Sequence, residues 1–342
     1  GGNLTAGYVG PILGSVSKNT MRDEVCAILG VKDNDWIGEH GNAHDFEEAK
    51  LTLAEFVARE KNVDVFLQCC VSDVIRDGKV VKGIKCASNE GTLCFEAAVT
   101  IDCTGDAIVS FLAGAKIEKG RADGLMQPVT LEYTIDGVDE SKGIICIGDV
   151  DNVQLNGECF LDWCKKKADE GKLPRMLAAV RLHPSVRPGC RQVNTTQVNR
   201  VDITSVSSIF AADLELRQQI RLLTQFLKEN LPGYENCRVI GSGTTTGVRE
   251  SRRVMGDYVI DADEMAEGCR WKTKESFLTN EGKPFIMNCC FAIVDNILLS
   301  IHQPEYVSRL VDQRFMSSEE IRKMEQIKED DNPVIIKYYL KR

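Results

Sequence analysis

The chain has 342 residues with a formal net charge of −9, and 43% of its residues are hydrophobic. This composition is typical of a folded protein large enough for two domains, and it excludes a disordered chain. The acidic balance argues against a nucleic-acid backbone as a partner, and we find no apolar run of about 18 residues that would predict a membrane span.

The 14 cysteines are scattered along the sequence, and no two of them have the C-x-x-C spacing. That spacing begins most zinc ribbons and iron–sulfur clusters, so the sequence predicts neither site. Several cysteines, such as Cys86 and Cys94, lie in alternating patterns that are typical of strands. We therefore interpret the cysteines as buried, reduced thiols of a cytoplasmic protein.

The sequence opens on a glycine-rich stretch, GGNLTAGYVG, in residues 1–10. Glycine lets a backbone approach a ligand closely, although the same composition also suits a flexible linker. Residues 15–44 are polar and predict one short helix near residues 21–29. His40 and His44 have the spacing of helical metal ligands, but the glycine and asparagine between them argue against a helix there.

The next elements alternate between helix and strand. Asp45 is a good N-cap for an amphipathic helix over residues 46–61. The apolar residues 63–69 then predict a strand, and an Asp77-Gly78 turn between two alternating runs predicts a hairpin. Residues 91–101 predict a further strand. This order indicates an α/β sheet with a small antiparallel meander.

Residues 99–115, VTIDCTGDAIVSFLAGA, predict a strand, a tight turn and a helix. Apolar and polar residues alternate up to Cys103, which favours a strand. Gly105 permits close approach of a ligand, and Asp106 is a suitable N-cap for the helix that follows. The N–H groups at such a helix start can hold a phosphate.

The phrases I-D-x-T-G-D and L-A-G-A in this stretch resemble the FAD-dependent oxidoreductases with a glutathione-reductase-like FAD fold. Within them, the stretch is most similar to the group around the A-type polypeptide of heterodisulfide reductase. The resemblance implies FAD as the cofactor, with the T-G-D turn beside it. It also implies that a G-G-x-x-T loop passes along the FAD pyrophosphate and flavin, and that residues 70–72 pass the adenine. The residues thereby assigned to FAD are Gly1, Gly2, Thr5, Val71, Thr104, Gly105 and Asp106.

The family's first βαβ unit, with its G-x-G-x-x-G turn, would lie upstream of residue 1 and is not in this sequence. The resemblance therefore implies a fragment of the full enzyme, and we expect this chain by itself to bind FAD weakly or not at all.

Residues 124–131, GLMQPVTL, match a family phrase that opens a substrate-facing domain. The resemblance makes Met126 and Gln127 candidate substrate contacts. From the residues alone, Met126 is equally suited to filling a core, and Gln127 to bonding a backbone at the turn. Further along, the sequence predicts a helix within residues 156–171. The lone His183 that follows is more typical of a structural residue than of a proton donor.

A long amphipathic helix is predicted from Ser205 or Ser207 to about Asn230. Residues 247–263 then resemble the family's G-x-R-E-x-R-R-x-x-G-x-Y segment, which returns toward the flavin. The catalytic candidates there are Arg249, as a clamp on an anionic substrate, with Glu250 and Arg253 in support. The alternative interpretation is a solvated or salt-bridged helix face.

The resemblance fades after residue 268: residues 294–299 resemble the start of a later family strand, but its glycine and the G-Q-A-A-G helix are missing. We predict an α/β fold, comprising an incomplete FAD/NAD(P)-binding Rossmann-like domain with a β-meander and an inserted α+β substrate domain. The predicted boundaries are a partial FAD domain (1–120), a substrate domain (121–240), a return segment (241–268) and a divergent segment (269–342).

The predicted function is hydride transfer between a small, anionic molecule and flavin. Two alternatives stay open at this point: a non-catalytic remnant that cannot hold FAD, and an electron-transfer protein that works with an iron–sulfur partner.

Overall fold

In a computed structural model, the chain is described over residues 2–12, 21–31, 43–148 and 152–256, with three strands between 292 and 339 and residues 318, 321, 322 and 326. It divides into two compact units, Gly1–Met255 and Gly256–Arg342. Helices and strands are mixed, and every strand pairing among the described residues is antiparallel. None of the described helices is long and apolar enough to cross a membrane.

The α-helices of the first unit are α1 (Met21–Ile28), α2 (Phe46–Ala58), α3 (Ile108–Leu112), α4 (Phe160–Asp169) and α5 (Val206–Asn230). Its strands are β1 (Cys70–Asp77), β2 (Val80–Ser88), β3 (Gly91–Glu96), β4 (Ile117–Lys119), β5 (Tyr133–Asp136), β6 (Gln154–Leu155), β7 (Glu158–Cys159), β8 (Leu182–Pro184), β9 (Arg191–Val193), β10 (Arg238–Ser242) and β11 (Arg252–Val254).

The helix starts follow from capping side chains. The Asp45 carboxylate accepts hydrogen bonds from the backbone N–H groups of Glu47 and Glu48 and begins α2. The Ser205 hydroxyl accepts from the N–H of Ser208 and begins α5. Each cap satisfies N–H groups that have no partner inside the helix. The predictions for these helices are confirmed, with α2 ending a turn earlier than predicted.

Strands β1, β2 and β3 form an antiparallel meander in that order. The turn between β1 and β2 contains Gly78 with a φ of 58°, a conformation that glycine adopts without steric strain. Asp77 pairs with Val80 across this turn. The predicted hairpin and meander are therefore confirmed, although β3 ends at Glu96 rather than continuing to residue 101.

A second sheet has the strand order β10-β5-β9-β8, and α5 covers it. The predicted inward positions of α5 are buried because they recur every three or four residues on one face. These positions are Ala212, Leu216, Ile220, Leu223 and Leu227, with Ile209 partly buried beside them. The sheet contributes Tyr133, Ile135, Leu182 and Val193, each with no exposed surface. This layer holds the main core of the first unit.

Two predicted strands are wrong. Residues 63–69 and 99–103 do not form strands, and Leu67, Val99 and Ile101 are 81%, 75% and 79% exposed. A strand forms only where a neighbouring strand takes up its backbone hydrogen bonds. Within the described residues neither segment has such a neighbour, so the alternating sequence remains unpaired.

In the second unit, β12 (Ala292–Val294), β13 (Ile297–His302) and β14 (Val334–Tyr339) form an antiparallel sheet in that order. The strand that the sequence suggests near residues 294–299 corresponds to β13. Gly1, His40 and residues 257–268 of the predicted return segment lie outside the described residues.

Candidate functional site

A cavity of about 350 Å³ lies where three separate stretches of the first unit meet. Two of the sequence-predicted site residues, Gln127 and Arg249, line it. The described residues that line it are Asn3, Val9, Gln127, Thr130, Glu132, Gly247, Val248 and Arg249. It thus includes residues of the N-terminal glycine-rich loop, of the segment before β5 and of the segment before β11.

The segment before β5 presents alternate residues to opposite sides. Val129, Leu131 and Tyr133 point into the core and are at most 1% exposed. Thr130 and Glu132 point the other way, into the cavity. This is the side-chain alternation of extended backbone. The Thr196 hydroxyl donates to the carbonyl oxygen of Leu131 and accepts from its N–H, both at 2.8 Å, which fixes the segment against the neighbouring chain.

Arg249 is held at the cavity by a short ladder between Gly247 and Thr130. The N–H of Gly247 donates to the Thr130 carbonyl oxygen at 2.7 Å, and the reverse bond is 3.1 Å. A Cβ at residue 247 would lie 3.0 Å from that carbonyl oxygen, so glycine permits the close approach. Within the described residues the Arg249 side chain makes no hydrogen bond or ion pair, which leaves its guanidinium available to a ligand.

Glu250 and Arg253 make contacts within the protein instead. One carboxylate oxygen of Glu250 accepts from the backbone N–H of Gln127 at 3.0 Å, and the other accepts from the Arg253 guanidinium. Arg253 also donates to the carbonyl oxygen of Gly120 at 2.7 Å. These bonds fix the Gln127 turn to the segment that carries Arg249.

The N-terminal loop is hydrogen-bonded to three other segments of the first unit. The carbonyl oxygen of Ala6 accepts from the N–H of Thr244 at 2.8 Å. The ring nitrogens of the buried His44 lie 2.9 and 2.7 Å from the carbonyl oxygens of Gly10 and Leu4. The side-chain amide of Gln192, which is 2% exposed, donates to the carbonyl oxygen of Tyr8 and to the carboxyl group of Glu132.

In the T-G-D turn, the organising residue is Asp102, which the sequence analysis did not select. Its carboxylate accepts hydrogen bonds from the N–H and hydroxyl groups of both Thr104 and Ser110. Burial raises the pKa of Asp102, but these hydrogen bonds outweigh burial and lower the pKa to about 2.

The prediction that Asp106 caps the next helix is wrong. The N-cap residue of α3 is Ala107, in the left-handed region, and its own side chain makes no capping hydrogen bond. The Thr104 hydroxyl instead accepts from the N–H of Ile108 at 3.0 Å. Gly105 has a φ of 77° and no atom within 4 Å of where a Cβ would be, so this turn is open to a ligand.

The T-G-D turn lies near the segment that carries Arg249. Arg252 donates to the carbonyl oxygen of Asp106 at 3.5 Å, and its guanidinium carbon lies 4.6 Å from the centre of the Phe111 ring. Strands β4 and β11 also pair directly. The T-G-D turn and the segment that carries Arg249 are therefore in contact within the first unit.

Other sequence-predicted residues lie elsewhere. Met126 is 7% exposed and belongs to the core beneath the cavity. Val71 lies in β1 of the meander. Gly2 and Thr5 flank Asn3 in the N-terminal loop, where the Thr5 N–H donates to the Gly2 carbonyl oxygen at 3.3 Å.

The sequence analysis missed Glu132 and Gln192. Glu132 is 6% exposed and lines the cavity. In the sequence Glu132 alternates with apolar residues, which is also the pattern of a solvent-facing residue in a strand. No local signal therefore distinguishes it as a buried residue. Its burial depends on the N-terminal loop that packs over it.

A second cavity, of about 280 Å³, lies near the start of α2. Its charged groups already have partners: Arg187 donates to the Asp45 carboxylate at 2.5 and 2.9 Å, and Lys50 donates to Glu47 at 2.6 Å. Because these charged groups are already paired, the first cavity is the better candidate site. Among the described residues, we find no group of three or more side chains arranged to hold a metal ion.

Two solved enzyme structures resemble the chain weakly. A triple mutant of the flavin-dependent brominase Bmp2 matches with a TM-score of 0.33 and 15% identity, over 63% of this chain and 48% of that one. The p-nitrophenol 4-monooxygenase PnpA from Pseudomonas putida matches with a TM-score of 0.35 and 12% identity, over 67% and 48%. The chain spans about half the length of these structures.

Among curated proteins, none matches the chain. A family model described as FAD dependent oxidoreductase matches residues 1–276, which is most of the sequence. The match includes every loop that borders the cavity and the T-G-D turn. The chain therefore belongs to the FAD dependent oxidoreductase family.

Proposed function

We propose that the chain is the substrate-binding part of an FAD-dependent oxidoreductase that transfers hydride between a small anionic molecule and flavin. The observation that carries this proposal is the cavity shared by the N-terminal loop, Gln127 and Arg249. The family resemblance assigns the N-terminal loop to the flavin and makes Gln127 a substrate contact, and the guanidinium of Arg249 is suited to an anionic substrate. A flavin enzyme needs these two surfaces side by side.

FAD would be held by the N-terminal loop around Gly2 and Thr5 and by the T-G-D turn at Thr104–Asp106. The turn is suited to this because Gly105 is open and its backbone is fixed from behind by Asp102. Val71 in the meander is the proposed adenine contact. When bound, FAD would supply the atom that accepts or donates the hydride, and the protein residues would bind and orient the substrate.

Arg249 is the proposed substrate clamp. Its planar guanidinium matches a carboxylate group, and it is unpaired within the described residues, whereas Arg252 and Arg253 have protein partners. Gln127 also lines the cavity and offers an amide to the same ligand. Glu250 and Arg253 act as positioning residues because their bonds hold Gln127 and Arg249 at the cavity.

We further propose that the chain belongs to the group similar to the A-type polypeptide of heterodisulfide reductase, and that it is a fragment of the enzyme. The proposed fold is a Rossmann-like FAD domain, formed in part by residues 1–120, with an α+β substrate domain inserted over residues 121–240. The family phrases around residues 101–115, 124–131 and 247–253 support this assignment. The exposed apolar segments 63–67 and 99–101 also support it, because they have strand-like sequences but no neighbouring strand within the described residues.

The test measures the visible absorption spectrum of the full enzyme of which this chain is the proposed fragment. We expect flavin bands in the purified protein and FAD release on denaturation. Gly105→Ala should lower FAD occupancy, because the residue sits at φ 77° in the open T-G-D turn. Gly78→Ala is the matched control, since Gly78 is also open and has a φ of 58°, but lies in the meander turn. A colourless protein, or equal loss of FAD in both variants, would contradict the proposal.

A further inference from the structure

Among the described residues that line the cavity, Glu132 is the one buried acidic side chain. Its side chain lies among Gln192, the loop of residues 2–10 and Arg249, and it is 6% exposed. A carboxyl group in such a place is costly to ionise unless an opposite charge contacts it. Arg249 acts on it through its charge, but no hydrogen bond joins the two side chains in the described structure.

Gln192 determines where the proton of Glu132 resides. The Gln192 Nε2 group donates to the carbonyl oxygen of Tyr8, which can only accept, so the orientation of the amide is fixed. The second hydrogen on Nε2 is donated to Oε2 of Glu132. Oε2 is therefore the accepting oxygen, and the carboxylic acid proton belongs on Oε1.

Burial raises the pKa of Glu132 to about 8, and the positive charge of Arg249 offsets only part of this effect. Titratable groups on the neighbouring elements have partners elsewhere: on β9, Arg191 donates to Glu140, and on the loop, the Tyr8 hydroxyl donates to Glu47. At neutral pH the cavity therefore combines a neutral carboxylic acid with an unpaired guanidinium and carries a positive charge.

We propose that this cavity binds a carboxylate ligand between the Arg249 guanidinium and the protonated Glu132, whose Oε1–H donates a hydrogen bond to the ligand. This inference rests on the proposed function, because it specifies the chemistry of the anionic substrate. It adds that binding requires a proton on the enzyme. When Glu132 loses that proton, it repels the ligand and neutralises Arg249 in its place.

The proposal predicts a linkage between ligand affinity and pH. If the ligand binds only the protonated form, affinity is constant well below the pKa of Glu132 and falls about tenfold per pH unit above it. The change should follow a single proton, because Glu132 is the titrating group that faces the ligand. Proton uptake on binding should appear as pH approaches and passes the pKa.

The experiment is calorimetric titration of the protein with acetate and with benzoate between pH 6 and pH 9. We expect affinity at pH 9 to be roughly tenfold weaker than at pH 7. Glu132→Gln keeps a neutral hydrogen-bond donor of the same shape, so its affinity should be independent of pH. Arg249→Met should abolish binding at every pH. Circular dichroism melts establish that each variant is folded.

The outcomes separate this inference from the proposed function. A wild-type affinity that is independent of pH, with Arg249→Met still abolishing binding, would overturn the role of Glu132 but keep an anionic site. Failure of both probes to bind at any pH would overturn the carboxylate site itself. As a readout without ligand, the infrared band of a protonated carboxyl group should be present at pH 7 and absent in Glu132→Gln; its presence in both would overturn the assignment.

Discussion

The carboxylate of Glu250 accepts a hydrogen bond at 3.0 Å from the backbone N–H of Gln127. This bond joins two sequence motifs that are far apart along the chain. It also explains why neighbouring charged residues in one motif differ in role. Both carboxylate oxygens of Glu250 are hydrogen-bonded within the protein. Arg249, the preceding residue, has no partner among the described residues and faces the cavity.

Replacing Glu250 and replacing Arg249 should therefore have different consequences for stability. Glu250→Ala leaves the Gln127 N–H and the Arg253 guanidinium without their acceptor, and we expect a loss of about 1–3 kcal/mol in the free energy of unfolding. Arg249→Ala removes no such bond and should change it by less than about 0.5 kcal/mol. Urea denaturation measures both. Destabilisation by Arg249→Ala as large as that of Glu250→Ala would make Arg249 a structural residue.

Asp102→Asn should destabilise the protein at neutral pH and lose this effect in acid. The folded-state pKa of about 2 lies below the ordinary value of 3.8. The carboxylate therefore stabilises the fold above pH 4, and this contribution is lost as pH falls from about 4 toward 2. We expect a loss of about 1–2 kcal/mol at pH 7, allowing for partial exposure.

Chemical denaturation at pH 7 and pH 3 distinguishes this effect from general damage to the turn. Asp106→Asn is the control, because the Asp106 side chain makes no hydrogen bond within the described residues. The difference between parent and Asp102→Asn should shrink at pH 3. An undiminished difference would mean that the Asp102 charge is not what stabilises the turn.

Val99 and Ile101 offer a third prediction, on self-association. Both side chains are largely exposed, so the double variant Val99→Thr with Ile101→Thr should leave the free energy of unfolding within about 0.5 kcal/mol. It should bind less of a hydrophobic dye and associate less in sedimentation experiments, because exposed apolar segments promote association.

The matched control introduces threonine at two core positions instead. Val129 and Leu131 have the same spacing but are at most 1% exposed. Replacing both by threonine should cost more than about 3 kcal/mol. A comparable loss in the Val99 and Ile101 variant would indicate that these side chains are buried in solution.

The sequence predicted correctly those elements that are stabilised by contacts between residues close together in the chain. Asp45 and Ser205 cap helices within three residues of themselves, and the Asp77-Gly78 turn joins adjacent strands. The apolar spacing of α5 is equally local. These features could be identified because the residues that form the element are the residues that show the pattern.

The errors concern features that depend on distant partners. Residues 63–69 and 99–103 have strand-like sequences, but a strand also needs a neighbour, which the local pattern does not report. Glu132 is a similar case: it looks like a surface residue until the loop of residues 2–10 and Gln192 cover it. Arg249 and Gln127 could be selected only because the family resemblance connects their motifs.

Because the amide of Gln192 contacts both Glu132 and the N-terminal loop, the pKa of Glu132 depends on whether the loop is packed in place. The same Nε2 group holds the loop at Tyr8 and the acid at Oε2, and a side chain at residue 10 would clash with this amide. Lifting the loop would hydrate Glu132 and return its pKa toward the ordinary range, so it would ionise at neutral pH. The proton that an anion requires at this cavity therefore depends on the packing of the loop over Glu132.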